Sequence, residues 1–334
     1  MQEVADLAGV GLKTVSRVVN RETGVSQEMA ARVQVAVRQL GYRPDTGASS
    51  LRRADRRSSA IGVVVDDVAN PFSAAVMRGI EDVAMSHRTV VLVGSAEEDA
   101  DREAEVVQTF VDRRVDGLIV APSGRANRQL QDEVERGLPV VLVDRDAAEV
   151  PADQVVSTNE LGSQAAVVHL AEHGHRRIAF LGAPLSITTA QHRLSGYRRA
   201  VTGLSLEMDP RWLVDGLSGE VDAEGAVIAL LSDLAPQQRP TALFCAQNRI
   251  TIGAVRALRR LGLHRSVAVV GFDDFPLADL LEPGITVVAQ EPARIGMLAA
   301  QTLFDRIHGH RGPARTIWVP TTLMRRGSGE ISPR

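Results

Sequence analysis

The chain has 334 residues, 24% of them charged and 3% aromatic, with a formal net charge of −3, which is enough for two or three domains with sizeable cores. Residues 1–57 hold ten Lys/Arg against six Asp/Glu and the remainder 28 against 35, so a basic head precedes an acidic body and any polyanion contact is confined to one end. The single Cys245 excludes an intramolecular disulfide, no apolar run reaches the roughly 18 residues of a membrane span, and the acidic, amphipathic N-terminus lacks the features of a signal peptide, so the chain is expected in the cytoplasm.

In chain order, Val4, Leu7 and Ala8 follow a helical period that Gly9 breaks. The next stretch, residues 10–20, places Val15, Val18 and Val19 on one stripe, so Leu12, Lys13, Thr14, Ser16 and Arg17 face the other way. Hydroxyls between two long cations suit phosphates and base edges; taken alone, the same pattern also describes an ordinary amphipathic surface helix. Two helices joined by so short a glycine-containing turn form a helix-turn-helix. Ser26 is a good N-cap for a third helix with Ala30, Val33, Val37 and Leu40 inward, stopped by Gly41 and Pro44. Residues 1–43 are thus expected to form a three-helix head.

Residues 44–59 form a polar, arginine-enriched linker, and their composition reads as a tether. From Ile61 the pattern becomes α/β. Apolar runs at 61–65, 90–93, 118–120 and 140–143 alternate with helical segments, as buried parallel strands of a doubly wound sheet do. A second set follows at 178–181, 242–245 and 267–270, with 212–214 as a weaker candidate. Two such halves without a long linker predict a bilobed core over 60–334, with lobe 1 at about 60–157 and 288–316 and lobe 2 at about 158–287 and 317–330. A ligand cleft is expected at the carboxyl ends of both strand sets. Asn70-Pro71-Phe72 fits the start of a helix whose free N–H groups point into that cleft. The helices near 74–84 and 295–307 are apolar on wide faces, which suits either lobe core or a dimer interface.

EVADLAGVGLKTVSRVVN followed by VSQEMAARVQVAVRQLGYRP resembles the DNA-binding head of the LacI/GalR (lactose-repressor) family of bacterial regulators, and the resemblance continues through nearly the whole chain. It implies that Leu12, Lys13 and Arg17 face base edges while Thr14, Ser16 and Asn20 face phosphates. It also implies that the linker is a hinge helix, formed on DNA, that wedges a leucine from each subunit into the minor groove; Ala48 and Leu51 match that pattern, whereas Asp45, Gly47 and Ser49 depart from it. For the cleft, the resemblance assigns Asn70, Phe72, Asp144, Arg145, Asn159, Arg193, Asn248, Asp273 and Gln290 to effector binding. Asp accepts from hydroxyls, and Arg or Asn donates to ring oxygens; any one of these residues alone reads equally well as surface polarity. Thr158 and Asn248 stand where the family often carries Asp, which bears on the ligand's identity.

The reading is a homodimeric, sequence-specific regulator, most often a repressor in this family. It binds a pseudo-palindromic operator, and its affinity is set by a sugar-like small molecule between the lobes. No nucleophile elbow or phosphate loop is present, so no enzyme activity and no cofactor are expected. His173-Gly-His175 and His308-Gly-His310 lack partners at metal-ligand spacing, so no metal is expected either. The alternatives are a periplasmic-type solute-binding protein and a DNA-binding regulator with a degenerate cleft.

Overall fold

The computed structural model describes residues 1–19, 22–42, 58–124 and 128–333; Asn20, Ala48 and Leu51 lie outside them. The chain divides into two compact units, Met1–Ser58 and Ser59–Arg334.

In the first unit, α1 (Gln2–Ala8), α2 (Leu12–Val19) and α3 (Gln27–Gln39) close a core of Val4, Ala5, Ala8, Val15, Val33 and Ala36. Leu7 and Leu40, expected inside, are 52% and 43% exposed. Alanine fills the space instead, because three short helices approach closely only over small side chains, and Leu40 already belongs to the C-cap turn before Gly41 (φ 58). Gly9 ends α1 in the left-handed conformation (φ 61), and Arg32 Nη2 donates to Ala8 O at 2.6 Å, satisfying a terminal carbonyl of that helix. Ser26 caps α3 by accepting from Met29 N at 3.3 Å.

The second unit holds two six-stranded sheets. Lobe 1 contains β1 (Ala60–Val65), β2 (Val90–Ser95), β3 (Leu118–Val120), β4 (Val140–Val143), β5 (Asp153–Ser157) and β11 (Thr316–Val319), in the order β11-β5-β4-β3-β1-β2. Lobe 2 contains β6 (Ile178–Leu181), β7 (Leu213–Val214), β8 (Ala242–Cys245), β9 (Ala268–Phe272), β10 (Thr286–Ala289) and β12 (Thr322–Met324), in the order β12-β10-β9-β8-β6-β7. The two orders are equivalent; they differ in that β11 runs parallel to β5, whereas β12 runs antiparallel to β10. The expected strand at 212–214 shortens to β7, because Pro210–Trp212 forms a 3₁₀ turn.

Helices α4 (Pro71–Ser86), α5 (Ala100–Asp112), α6 (Arg128–Glu135) and α11 (Pro292–Ile307) belong to lobe 1. Lobe 2 carries α7 (Asn159–Glu172), α8 (Thr188–Gly203), α9 (Glu220–Ser232) and α10 (Asn248–Arg260). Glycines set the spacing of three helix pairs. A Cβ on Gly79 would stand 2.0 Å from Ala293 O and one on Gly296 would stand 2.0 Å from Val76 O, so α4 and α11 touch backbone to backbone. Gly196 against Glu160 O and Gly253 against Glu220 O, both at 2.2 Å, do the same for α7–α8 and α9–α10. On α4 and α11, Val76, Ile80, Ile295, Ala299 and Leu303 are buried in the lobe core, while Met85 and Met297 stay 69% and 37% exposed.

The chain passes between the lobes at 158, at 290–291 and at 320–321. This corrects the sequence boundaries, which gave 288–289 to lobe 1 and 317–319 to lobe 2. β10 extends through Ala289 because Val287 and Val288 are buried between β9 and β12, and β11 extends through Val319 because its ladder with β5 continues to Ser157. Two of these passages are tied together: Thr321 N donates to Thr158 Oγ1 at 3.1 Å, and the two hydroxyls meet at 3.3 Å.

Candidate functional site

In the head, helix α2 turns Val15 fully inward and leaves Val18 and Val19 partly buried. Leu12, 45% exposed, and Lys13 stand on the open side, with Thr14, Ser16 and Arg17 partly exposed beside them. Arg17 Nε lies 3.9 Å from a carboxylate oxygen of Glu22, and both side chains are about half exposed, so the pair is weak enough for the guanidinium to exchange partners.

The cleft in the second unit opens at the ends of the parallel strands, between β1 and β3 in one lobe and between β6 and β8 in the other, where the strand order reverses. Its space is about 670 Å³ including the open mouth. Asn70 caps α4, its Oδ1 accepting from Phe72 N at 3.1 Å, with Pro71 in the first turn. The same Oδ1 accepts from Asn248 Nδ2 of lobe 2 at 2.9 Å. Further cross-lobe contacts are the ion pair Arg249–Asp67 at 3.6 Å and the approach of His192 Nε2 to Asp146 Oδ2 at 3.7 Å.

Two aspartates hold equivalent positions, Asp144 directly after β4 and Asp273 directly after β9, and both have positive φ, 63 and 70. A left-handed residue at a strand end turns the side chain out of the pleat and into the cleft. Asp273 accepts from Gln290 Nε2 at 2.5 Å and faces Arg193 Nη1 at 3.4 Å. Arg193 is 5% exposed; its Nε donates to Asn159 Oδ1 and its Nη1 to Ala246 O, both at 2.8 Å, and it covers the Phe272 ring at 3.9 Å. Burial pushes Asp144 up to about 6, although Arg145 and Arg193 pull the other way.

Arg145 is 5% exposed. Burial opposes its charge, but Glu98, Asp144 and Asp66 outweigh that and hold the guanidinium cationic. Its Nη1 donates to Glu98 Oε2 at 2.8 Å and to Pro122 O at 3.2 Å, and its Nη2 donates to Glu98 Oε1.

Asn70, Phe72, Asp144, Arg145, Arg193, Asp273 and Gln290 thus line one cleft. Asn159 and Asn248 stand outside that wall, the first holding Arg193 and the second holding Asn70. Sequence reasoning missed Asp66, Ser73 and Thr189 in the wall and Glu98 behind Arg145. Asp66 and Glu98 each follow a strand end, the one signal that could have marked them. Three buried polar atoms at the wall have no hydrogen-bond partner, Asp144 Oδ1, Arg145 Nε and Gln290 Oε1, although Arg145 Nε lies 3.8 Å from Asp144 Oδ2. No group of three or more metal-ligating side chains occurs among the described residues, and no helix among them is long and apolar enough to cross a membrane.

Residues 1–45 match the family described as bacterial regulatory proteins, lacI family, and residues 167–329 match a periplasmic binding protein-like domain. The chain is 34% identical over 328 residues to the ribose operon repressor of Haemophilus influenzae, covering 97% of each chain. It is 30% identical to the HTH-type transcriptional repressor PurR of Aliivibrio fischeri, covering 98% of this chain and 97% of that protein. Among solved structures it superposes on the lac repressor dimer bound to operator and the anti-inducer ONPF with a TM-score of 0.86 at 25% identity, covering 98% of this chain and 97% of the other.

Proposed function

The chain belongs to the lacI family of bacterial regulatory proteins, and from that premise we propose that it is a homodimeric operator-binding repressor whose DNA affinity is set by a neutral, polyhydroxylated small molecule held between its lobes. The observation that carries the ligand class is the trio of buried, unpartnered atoms at the cleft wall. Two of them, Asp144 Oδ1 and Gln290 Oε1, accept hydrogen bonds and one, Arg145 Nε, donates, which is the complement of a set of ring hydroxyls. Leaving such atoms unsatisfied costs about 1–3 kcal/mol each, so a ligand that satisfies them gains most of its affinity there. The relatives that repress a ribose operon make D-ribose the first sugar to test.

Leu12, Lys13 and Arg17 read bases in this proposal while Thr14, Ser16 and Asn20 hold phosphates, and Ala48 and Leu51 supply the minor-groove wedge. Residues 1–43 form the head, 44–59 the hinge and 60–334 the effector core. The protein acts in the cytoplasm as a binder and not as a catalyst. Because the cleft is walled by both lobes, a ligand bound there favours one relative orientation of the lobes, and differential affinity for the two orientations is all that an effector needs. The test is an operator titration with and without sugars found by thermal shift. Binding should weaken steeply with salt, with a log–log slope beyond about −2 for a dimer with several phosphate contacts. Specific DNA binding that no sugar alters, from a protein that no sugar stabilises, would favour a regulator with a degenerate cleft.

A further inference from the structure

We propose that Glu98 is a specificity-determining residue, one that closes the effector cleft to anionic ligands by occupying the guanidinium fork of Arg145 from behind the wall. The proposal rests on the reading of this cleft as the effector site.

A buried arginine at a ligand cleft is ordinarily a receptor for carboxylate or phosphate, because its two terminal nitrogens match an anion's oxygens in a fork. Here that fork is filled from within. Both terminal nitrogens of Arg145 donate to the Glu98 carboxylate and Nη1 also donates to Pro122 O, which leaves the N–H of Nε and the second N–H of Nη2 along the side edge of the guanidinium. That edge already faces two carboxylates, Asp144 Oδ2 at 3.8 Å from Nε and Asp66 Oδ2 at 3.9 Å from Nη2, so an anion seeking it meets like charge while a hydroxyl oxygen does not. Glu98 itself is not part of the cleft wall, so it acts on the ligand without touching it, by engaging Arg145 and by its charge behind the wall.

The local backbone is shaped for this contact. Glu97 and Glu98 have φ of 53 and 59, two successive left-handed residues that carry side chains. Hydrogen bonds from Ala96 N to Val65 O (2.9 Å), from Glu97 N to Asp66 O (2.8 Å) and from Glu98 N to Asp66 Oδ1 (2.9 Å) hold the turn against the end of β1. That turn aims Glu98 at Arg145, whereas Glu97 pairs outward with Arg102 at 2.9 Å.

The charges around the cleft agree. Its wall carries Arg145 and Arg193 against Asp66, Asp144 and Asp273, and Glu98 adds a fourth carboxylate behind. Arg193 offers no alternative anion receptor at its Nε or Nη1, which are engaged by Asn159, Ala246 and Asp273. A neutral polyol loses nothing to this excess of negative charge, while an anion meets it at close range.

The experiment is calorimetric titration of the full chain, wild type, Glu98→Gln and Glu97→Gln, with D-ribose, D-glucose, D-glucuronate and inorganic phosphate. Glucose and glucuronate share a ring and differ in one charged group. Glu98→Gln keeps the side chain's shape and removes its charge, so at least one anion should bind about tenfold or more tighter relative to the neutral sugars than in wild type. Lost packing alone would weaken all four probes together and leave that ratio unchanged. Glu97→Gln removes the same charge one residue away and should keep the wild-type ratio. The proposal is overturned if Glu98→Gln leaves the ratio unchanged, if Glu97→Gln shifts it equally, or if wild type already takes glucuronate or phosphate as tightly as the sugars. If no neutral sugar binds wild type, the polyol reading falls by itself. The anion arm then decides for Glu98 alone: a gain in the variant supports it, and no gain overturns it.

Discussion

Replacing Asp144 by Asn should stabilise the ligand-free protein and disable its cleft in the same stroke. Burial raises the Asp144 carboxyl from 3.8 to about 6, and its Oδ1 has no partner. Because the folded state holds the proton more tightly than the unfolded chain, the sign is fixed. Stability is unaffected by this group below about pH 3.8, falls as pH rises from there through about 6, and levels off above. Two pKa units correspond to about 3 kcal/mol at most, an upper figure because the side chain keeps 16% of its exposure. Asn is isosteric, has no charge to desolvate and tolerates the left-handed backbone at this position (φ 63). The gain from Asp144→Asn should therefore grow by about 1.5 kcal/mol between pH 5 and pH 8, read by urea unfolding of both proteins at each pH. Sugar binding should meanwhile weaken by about 1.5–3 kcal/mol, the value of hydrogen bonds to a charged acceptor. A stability difference that is the same at both pH values would show that the carboxylate is not buried and ionised as described, and the linkage argument would fail.

Arg17→Ala should cost on the order of 1–3 kcal/mol per half-site and relax one base preference, measured by titrating operator variants; equal loss on random DNA would make Arg17 a phosphate contact. Asp273→Asn removes the charge that Gln290 and Arg193 share. It should abolish the effector response while leaving ligand-free operator binding nearly unchanged, so a wild-type response in an operator titration would place the effector elsewhere. Gly79→Ala and Gly296→Ala each push a methyl to 2.0 Å from a carbonyl oxygen of the facing helix. Each should lose about 1–3 kcal/mol in urea unfolding, even though alanine favours a helix by about 1 kcal/mol.

How far the sequence could be read depended on whether a residue's role was local. The buried strands of lobe 1 were legible because both faces are covered and the apolar runs are continuous, as at Ile61–Val65. β11 was not, because it is an edge strand with Trp318 59% exposed and no periodic pattern. Leu7 and Ala5 exchanged roles because periodicity identifies a face but not which of two adjacent positions the closer helix contact will cover. Asp144 and Asp273 could be found as acids directly after apolar runs. Glu98 follows a strand end too, but its pairing with Arg145 was not legible, since the partner lies 47 residues away. Asn159 and Asn248 stand behind the wall, their side chains bonded to the wall residues Arg193 and Asn70.

The tie between Thr158 and Thr321 joins two of the chain's three passages between the lobes into one axle, and the third passage lies beside Gln290. With those two passages held together, a relative movement of the lobes would turn about this tie, while the glycine-spaced helix pairs hold neighbouring helices of each lobe in contact. The tie lies apart from the cleft wall, so a substitution at the wall would leave the axis of such a movement in place, whereas losing the hydroxyl of Thr158 or Thr321 would remove it whatever the cleft holds.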